Sequence, residues 1–381
     1  MNKQPIKIWL SSPHMGGQEQ EFIREAFQDN WIAPLGPHVE GFEKDLTAFL
    51  GENKFAAALN TGTGALHLAL ILAGVQRDDI VICQSMTFSA SANPIVYLGA
   101  KPVFVDSEKD TWNISPVFLE EAILACLQKG KKPKAIIAVD LYGMPARYDE
   151  LLKIAQQYEI PLIEDAAEAL GSVYKGKKCG TFGQYGILSF NGNKIITTSG
   201  GGALICPTSQ EADFARFLST QARDQAPHYQ HSYIGYNYRM SNIAAGIGRG
   251  QMLVLEDRIR ARRAVHQFYK EALSHIPGIT IFEEPEPSFH SNHWLTCILI
   301  DPKLTGGIDR EMIRAKLANV GIESRPLWKP MHLQPIFSSC DFYGERISED
   351  LFHKGLCLPS GSNLTLENLA SIQEIILEVL S

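Results

Sequence analysis

The sequence predicts an α/β fold, with a mostly parallel central sheet, helices on both of its faces, and a smaller α+β domain after it. One observation is a βαβ unit, in which the apolar run KAIIAVDLYG (134–143) precedes a segment of helical periodicity (146–158) and a second strand-like run (160–167). A second observation is that similar apolar runs recur, several of them before helical segments, at 79–84, 100–106, 185–191 and 202–207. Strands that alternate with helices indicate a sheet covered on both faces.

A third observation is that the pattern changes after about residue 250. A charged helical segment (251–276) leads into short strands and a final amphipathic helix (365–380). A chain of 381 residues also exceeds the usual size of a single core. We therefore predict a large domain over residues 1–250 and a small α+β domain over residues 251–381.

The composition is that of an ordinary soluble globular protein, with 45% hydrophobic and 20% charged residues. Lys and Arg total 35 against 42 Asp and Glu, so the formal charge is −7 and no overall basic field exists to attract nucleic acid. The apolar run 8–10 is too short for a signal peptide, and the longest mostly apolar segment (65–75) is too short to span a bilayer. We expect a cytoplasmic protein without nucleic-acid or membrane partners.

The cysteine and histidine spacings favour neither a disulfide framework nor a metal site. The seven cysteines are odd in number and never form a CxxC pair, so we expect reduced, mostly buried thiols. None of the 11 histidines stands in an HxxxH or HExxH arrangement, which disfavours a zinc enzyme.

A candidate phosphate site follows the small-residue strand KFAAALN (54–60). Residues 61–64, TGTG, open a helix there, so several backbone N–H groups stay free at the positive end of the helix dipole. The signal is weak alone, because no GxxxxGK[ST] motif is present and His67 stands where GxGxxG has its third glycine. A plain helix cap of Thr and Gly is the alternative.

Two carboxylates, Glu164 and Asp165, end the strand-like run at 160–167. In an open parallel sheet, ligands bind beyond the carboxyl ends of the strands, which is where these side chains fall. The alternative is that Asp165 caps a following helix of sequence AAEALGS.

Lys194 lies between apolar segments and close to three consecutive glycines, in SFNGNKIITTSGGG (189–202). Burying an unpaired ammonium is costly, and a lysine that gives up its proton readily can attack an aldehyde. A lone lysine in a loop is more often a solvated charge. Together with the helix start and with Asp165, however, Lys194 completes what pyridoxal 5'-phosphate requires: amides for the phosphate, an amine for the aldehyde, and a carboxylate for the ring nitrogen.

The sequence resembles the DegT-type sugar-nucleotide aminotransferases over nearly the whole chain. The motifs that carry the resemblance are NWIAPLGPHVEGFE (30–43), LNTGTGALHLAL (59–70), MTFSASANPIVYLGAKPVFVD (86–106), IEDAAEALGS (163–172), SFNGNKIITTSGGG (189–202), GYNYRMSNIAAGIG (235–248) and GIESRPLWKPMH (321–332). The resemblance implies an aspartate aminotransferase-like fold (pyridoxal phosphate fold type I) and a transaminase activity.

The resemblance also implies roles for individual residues around the cofactor. Lys194 would form the Schiff base and move the proton during amino transfer, and Asp165 would pair with the pyridinium nitrogen. Phe88 would stack on the ring, with plain core packing as the alternative. The phosphate would be held by Gly62, Thr63, Ser189 and, from a neighbouring subunit, Asn237. A homodimer with shared active sites follows from that last residue.

Glu168 is a partial departure, because many members of the wider family carry Gln or His at this position. An ionised carboxylate would repel the cofactor oxygen, so we expect Glu168 to be protonated or turned toward a donor. A glutamate on a helix surface is the alternative.

Two segments are implied to surround the sugar nucleotide. They supply Asn30, Trp31, Ile32 and Ala33 from the first segment, and Arg325, Pro326, Leu327, Trp328 and, nearby, His332 from the second. Arg325 suits a phosphate because its planar fork gives paired, charge-assisted hydrogen bonds. The tryptophans would lie against the sugar or the base, with simple packing as the alternative.

The implied reaction is a ping-pong transamination from glutamate to C4 of a nucleotide-linked 4-keto-6-deoxy sugar, for glycan biosynthesis. The greatest resemblance is to enzymes that aminate UDP-2-acetamido-4-keto-2,6-dideoxyglucose toward bacillosamine, on SSPHMGG (11–17), EDAAEALGS (164–172), NGNKIITTSGGG (191–202) and STQARDQAPHYQH (219–231). Related sugar dehydratases carry histidine in place of the lysine, so Lys194 favours amino transfer. Two alternatives stay open: GDP-4-keto-6-deoxymannose as the acceptor, giving perosamine, and a non-catalytic regulatory protein that binds pyridoxal phosphate.

Overall fold

The computed structural model describes residues 6–51 and 53–380. The first five residues of the predicted large domain and the last residue of the predicted small one lie outside the described residues. No helix in the described part of the chain is long and apolar enough to cross a membrane.

The strands form one large and two small sheets. Their bounds are β1 (Phe55–Leu59), β2 (Ile80–Gln84), β3 (Lys101–Val105), β4 (Ala135–Val139), β5 (Leu162–Asp165), β6 (Val173–Tyr174), β7 (Lys177–Lys178), β8 (Tyr185–Ser189), β9 (Gly202–Cys206), β10 (Ile279–Ile281), β11 (Phe289–His290), β12 (Thr296–Ile300), β13 (Arg325–Pro326), β14 (Phe342–Tyr343) and β15 (Gly355–Leu358). The large sheet has the order β1-β9-β8-β5-β4-β2-β3-β14. All its neighbouring strands from β8 to β14 pair in parallel, and β9 alone runs antiparallel to its neighbours, so the predicted fold class is confirmed.

Helices cover the eight-stranded sheet, and others pack against the four-stranded sheet. Their bounds are α1 (Glu19–Gln28), α2 (Pro37–Leu50), α3 (Gly62–Leu72), α4 (Asn93–Tyr97), α5 (Pro116–Gln128), α6 (Tyr148–Gln157), α7 (Ser209–Ser219), α8 (Asn242–Met252), α9 (Leu255–Leu273), α10 (Arg310–Asn319), α11 (Ile347–Lys354) and α12 (Leu366–Leu380), with short 3-10 turns at Ser89–Ser91, Leu141–Gly143, Met331–Leu333 and Pro335–Phe337. The helical segment predicted at 251–276 is interrupted, because α8 ends at Met252 and α9 begins at Leu255.

The central strands are buried on both faces, which explains their continuous apolar sequences. Successive side chains of a strand point to opposite faces, so Ile82 packs in one core cluster while Val81 and Cys83 pack in another. In β4, Ile136 and Ile137 divide in the same way. The βαβ pattern therefore predicted a sheet with two covered faces correctly.

The smaller sheet has the order β10-β12-β15-β13 and is antiparallel, and α9, α10 and α12 pack in the same apolar cluster. Two strand pairings join residues on opposite sides of the domain boundary predicted at residue 250. Strand β14 joins the large sheet beside β3, and Ile8 pairs with Ile322. The two-domain division stays a prediction.

The cysteines behave as the sequence predicts. All seven thiols are free, and six of them are buried, with Cys340 partly exposed: Cys83, Cys126, Cys179, Cys206, Cys297 and Cys357 are the buried ones.

Candidate active site

A cavity of about 240 Å³ lies at the carboxyl ends of β4, β5 and β8, against the first turn of α3. It brings together eight of the residues predicted from the sequence: Gly62, Thr63, Phe88, Asp165, Glu168, Ser189, Lys194 and Trp328. The remaining walls come from Thr61, Leu66, Thr87, Ala90, Ser91, Val139, Ala167, Asn191, Asn193, Gly200, Gly201 and Trp294. The position agrees with the rule that ligands of parallel sheets bind beyond the strand ends.

The first turn of α3 forms one end of the cavity. Thr61 has an extended backbone, and its Oγ1 accepts a hydrogen bond from the Gly64 amide at 2.9 Å. The helix is therefore capped, yet the amides of Gly62 and Thr63 keep no partner within the helix. A Cβ at Gly62 would lie 3.0 Å from the Ser189 Cβ, so glycine allows the helix to approach the end of β8. Free amides and a nearby hydroxyl are suited to an anion.

Asp165 ends β5 and is 6% exposed. Its Oδ2 accepts from the Ser91 hydroxyl at 2.7 Å and its Oδ1 accepts from the Ala167 amide at 3.2 Å. Burial raises the pKa of Asp165, while these two donors and the charge of Lys194 lower it. Among residues 6–51 and 53–380, no cationic nitrogen forms an ion pair with this carboxylate.

The helix that was the alternative context for Asp165 does not form. Residues 166–172 make turns instead. Gly171 has φ +89°, and a Cβ there would lie 2.3 Å from Ile259 Cδ1, so the chain reverses where the helix would have continued. The alternative of Glu168 on a helix surface is therefore excluded, and Glu168 is 5% exposed.

Lys194 is enclosed, with a side chain that is 12% exposed. Its Nζ lies 3.6 Å from Glu168 Oε1 and 4.1 Å from the centre of the Trp294 ring. The amine is thus held between a carboxylate and an aromatic face, which explains how a cation is accommodated among apolar segments. The alternative of a solvated loop lysine is excluded by this burial.

Glu168 is turned toward donors, one of the two situations expected for it. Its Oε2 accepts from the Tyr142 amide at 2.7 Å, and its Oε1 faces Lys194. Burial raises the pKa of Glu168, and the charge of Lys194 and the Tyr142 amide oppose that rise. The carboxyl group is therefore placed to attract the amine beside it.

Phe88 and Trp328 form an aromatic wall of the cavity. Phe88 is 52% exposed, so it is not a core residue, and its ring centre lies 5.3 Å from that of Trp328. The Trp328 indole N–H is buried and has no hydrogen-bond partner among the described residues. A buried donor is normally satisfied, so this N–H group is an exception within the fold.

Several of the predicted residues do not line the cavity of their own chain. Asn30, Trp31, Ile32 and Ala33 lie in the loop between α1 and α2, where Trp31 is 41% exposed and Ile32 is 47% exposed. Asn237 is also exposed, and its carbonyl accepts from the Asn60 side chain.

The segment 325–332 reaches the cavity through Trp328 alone. Arg325 is exposed and forms an ion pair with Glu323 at 2.7 Å, whereas Leu327 is 2% exposed and packs in the core. Pro326 pairs with Leu356 at the edge of the small sheet.

His332 is also engaged within the fold rather than on the cavity wall. Its Nδ1 lies 2.6 Å from the Ser85 hydroxyl and its Nε2 lies 3.2 Å from Glu349. Arg325, Leu327 and His332 therefore do not line the cavity of their own chain, and their contacts with the substrate stay a prediction.

The structure adds residues that the sequence did not single out. Ser91 holds Asp165, and Trp294 covers Lys194. Ser91 belongs to a motif that was recognised, MTFSASANP, but no spacing assigned it a role. Trp294 stands 100 positions after Lys194, and only the folded chain brings the two together.

Comparison with known proteins gives a consistent result. The chain matches the DegT/DnrJ/EryC1/StrS aminotransferase family over residues 13–377. The putative pyridoxal phosphate-dependent aminotransferase EpsN of Bacillus subtilis (strain 168) is 52% identical over 98% of this chain and 96% of that protein. GDP-perosamine synthase of Escherichia coli O157:H7 is 37% identical over 98% of this chain and 99% of that enzyme.

A solved structure agrees with these relatives. The crystal structure of a DegT DnrJ EryC1 StrS aminotransferase from Brucella abortus superposes with a TM-score of 0.86 at 30% identity and covers 95% of each chain. The family inferred from the sequence motifs is confirmed. The chain belongs to the DegT/DnrJ/EryC1/StrS aminotransferase family.

Proposed function

We propose that this aminotransferase uses pyridoxal 5'-phosphate to move the amino group of glutamate to C4 of a nucleotide-linked 4-keto-6-deoxy sugar, in the cytoplasm and for glycan biosynthesis. The observation that carries the proposal is the buried amine of Lys194 in one cavity with Asp165 and with the first turn of α3. Bound pyridoxal phosphate supplies an aldehyde for an amine and a ring that accepts electrons.

The residues of the cavity fit this cofactor. Asp165 is a buried carboxylate without an ion-pair partner among the described residues, so a protonated ring nitrogen would supply the cation that it lacks. The amides of Gly62 and Thr63, beside the Ser189 hydroxyl, would hold the phosphate. Phe88 would cover one face of the ring.

Each residue then has a physical task. Asp165 keeps the ring nitrogen protonated, with Ser91 and the Ala167 amide fixing its carboxylate. Lys194 would take a proton at its Nζ from the carbon that loses it during amino transfer and deliver it to the carbon that gains it. Glu168 lies close enough to keep the amine in place.

UDP-2-acetamido-4-keto-2,6-dideoxyglucose is the acceptor that we favour, because the motifs at 11–17, 164–172, 191–202 and 219–231 resemble those of the enzymes toward bacillosamine. Phe88 and Trp328 line one wall of the cavity, where a sugar or a base would find flat apolar surfaces. GDP-4-keto-6-deoxymannose is the second candidate, since a GDP-perosamine synthase is 37% identical over nearly the whole chain.

A homodimer with shared active sites completes the proposal. Asn237 and the loop of Asn30, Trp31, Ile32 and Ala33 are exposed or partly exposed and lie outside the cavity of their own chain. Exposed apolar side chains such as Trp31 and Ile32 are typical of a surface that another subunit covers. In the dimer, Asn237 would reach the phosphate of the neighbouring subunit, and the same loop would reach its sugar nucleotide.

The experiment supplies purified protein with pyridoxal phosphate and glutamate, and offers the UDP-linked and the GDP-linked keto sugar separately. Mass spectrometry and NMR identify the aminated product and its stereochemistry. We expect amination of the UDP-sugar, no amination by Lys194→Ala, and unchanged amination by Lys153→Ala, which alters an exposed lysine of α6. Cofactor binding without turnover of either sugar would contradict the proposed reaction and would favour the regulatory alternative.

A further inference from the structure

Trp294 is a large side chain of the cavity for which the reaction described so far has no use. It is 1% exposed and lies just before β12, and its ring centre is 4.1 Å from Lys194 Nζ. On another side of the same amine, Glu168 Oε1 lies at 3.6 Å. An aromatic face and a carboxylate both attract a cation, so the two groups form a site for the free ammonium.

Trp294 and Glu168 are held as one unit by Asn292. The Asn292 Oδ1 accepts from the Trp294 amide at 2.8 Å, and its Nδ2 donates to the Glu168 carbonyl at 3.0 Å. The indole Nε1 of Trp294 donates at 2.7 Å to the carbonyl of Asn193, the residue before Lys194. The site is thus fixed both to the turn that carries Glu168 and to the loop that carries Lys194.

Transamination imposes a requirement on this lysine. Its amine is released in the first half-reaction, holds a proton within reach of the reacting carbons in both, and rejoins the cofactor only at the end of the second. A long, flexible side chain that moves freely after release would spend little time in the productive position. The charge of this lysine also opposes the rise in pKa that burial causes in two carboxyl groups, Asp165 and Glu168.

We propose that Trp294 is a positioning residue of this aminotransferase, which together with Glu168 holds the released amine of Lys194 between an indole face and a carboxylate oxygen. The inference rests on the proposed function and extends it. Trp294 acts through Lys194 and does not itself transfer a proton.

The test compares Trp294→Leu, which removes the aromatic face, with Trp294→Phe, which keeps a weaker face and loses the indole N–H. Trp112→Leu is the matched control, because Trp112 is also buried and stacks on Phe282 outside the cavity. The first readout is the rate at which cofactor-free protein forms a covalent adduct with added pyridoxal phosphate, followed by visible absorbance. The second readout is the separation of kcat from the KM for glutamate.

We expect adduct formation and kcat to fall about tenfold in Trp294→Leu and about threefold in Trp294→Phe, with KM nearly unchanged. Glu168 and Trp294 hold the same amine, so their effects should not be independent. In the double variant Glu168→Gln/Trp294→Leu, the loss in the rate of adduct formation should be smaller than the product of the losses in the two single variants. Trp112→Leu should lower the thermal midpoint without changing the adduct rate of the folded protein.

The outcomes separate this inference from the function beneath it. If the wild-type protein forms no adduct at Lys194, the proposed function fails and the role of Trp294 fails with it. If the wild-type protein forms the adduct and Trp294→Leu forms it as fast as Trp112→Leu, only the positioning role is overturned. Should Trp294→Leu not fold, Trp294→Phe decides, and a rate equal to that of the wild type overturns the role.

Discussion

Glu164 and Asp165 are neighbours at the end of β5, but they face opposite sides of the large sheet. Glu164 points into the core, where its carboxylate accepts from the amides of Gly180, Phe182 and Gly183. Asp165 points into the cavity, where it has one hydroxyl and one amide as donors. Alternation of side chains along a strand produces this difference from two adjacent acids.

The difference lies in how each charge is compensated. Burial raises the pKa of Glu164, three amides oppose that rise, and Asp140 beside it has a pKa raised by burial and by the charge of Glu164. The raised pKa favours a protonated Asp140, and three backbone amides donate to Glu164, so the charge of Glu164 is compensated by the chain alone. Asp165 has no ion-pair partner among the described residues, so it is the carboxylate that a cationic ligand completes.

The largest expected effect is on the cavity side. Asp165→Asn keeps the shape and the hydrogen bond from Ser91 but removes the negative charge, so we expect kcat to fall about 10²- to 10³-fold. The thermal midpoint should be nearly unchanged. The substitution removes the cost of burying a charge, and it also removes the attraction of that charge to the cofactor, so the two changes oppose each other. Steady-state kinetics give kcat, and thermal melting gives the stability. A kcat within a few-fold of the wild type would contradict the functional difference between Asp165 and Glu164.

On the core side, the effect should be on stability. Glu164→Ala leaves three buried amides without an acceptor and should reduce the free energy of unfolding by about 3 kcal/mol. Glu164→Gln, which keeps an acceptor oxygen, should lose less. Urea unfolding gives the stability, and kcat per folded molecule should stay within a few-fold. A large loss of kcat in fully folded Glu164→Gln would show that the two acids are not separate in function.

Ser91→Ala tests the support of Asp165 with a smaller effect. Losing the hydroxyl that donates to Asp165 Oδ2 disfavours the ionised carboxylate and raises its pKa further. We expect kcat/KM to fall up to about tenfold, with its acidic limb moving to higher pH. Ser89→Ala, in the same 3-10 turn, is the control. Identical pH profiles for the two variants would remove Ser91 from the site.

The smallest expected effect concerns Asp140, whose folded pKa is raised. A raised pKa contributes stability at low pH that is lost as the pH rises through the folded value. Asp140→Asn keeps an acceptor for Tyr148 and the Ala146 amide, and its Nδ2 can donate to Glu164 at any pH. Its stability should therefore decline less toward alkaline pH, by about 1 kcal/mol. Parallel curves of unfolding free energy against pH for the two proteins would contradict the raised pKa of Asp140.

The comparison of Glu164 with Asp165 also shows which features could be predicted from the sequence. It predicted the strands, the helix start after β1, and the carboxylate and lysine, because each depends on local periodicity and on motif spacing. It left open whether Asp165 caps a helix, because the turns at 166–172 end at a Gly171 that lies against Ile259 of α9, a residue distant in the sequence. Trp294 was missed because its contact with Lys194 joins two distant segments.

The residues predicted to bind the substrate also have contacts that the sequence did not predict. Arg325 has a carboxylate partner in Glu323 only two positions away, and His332 is held by Ser85 and Glu349 from distant elements. Residue type suited Arg325 to a phosphate, but neither the Arg325 pairing nor the His332 pairings could be predicted from residue type alone.

The most direct measurement is borohydride reduction of the protein reconstituted with pyridoxal phosphate, followed by peptide mapping with mass spectrometry. The visible absorbance should disappear on reduction, and a single reduced cofactor adduct should be found on Lys194, with none in Lys194→Ala. An adduct on a different lysine, or no adduct in the reconstituted wild-type protein, would contradict the account.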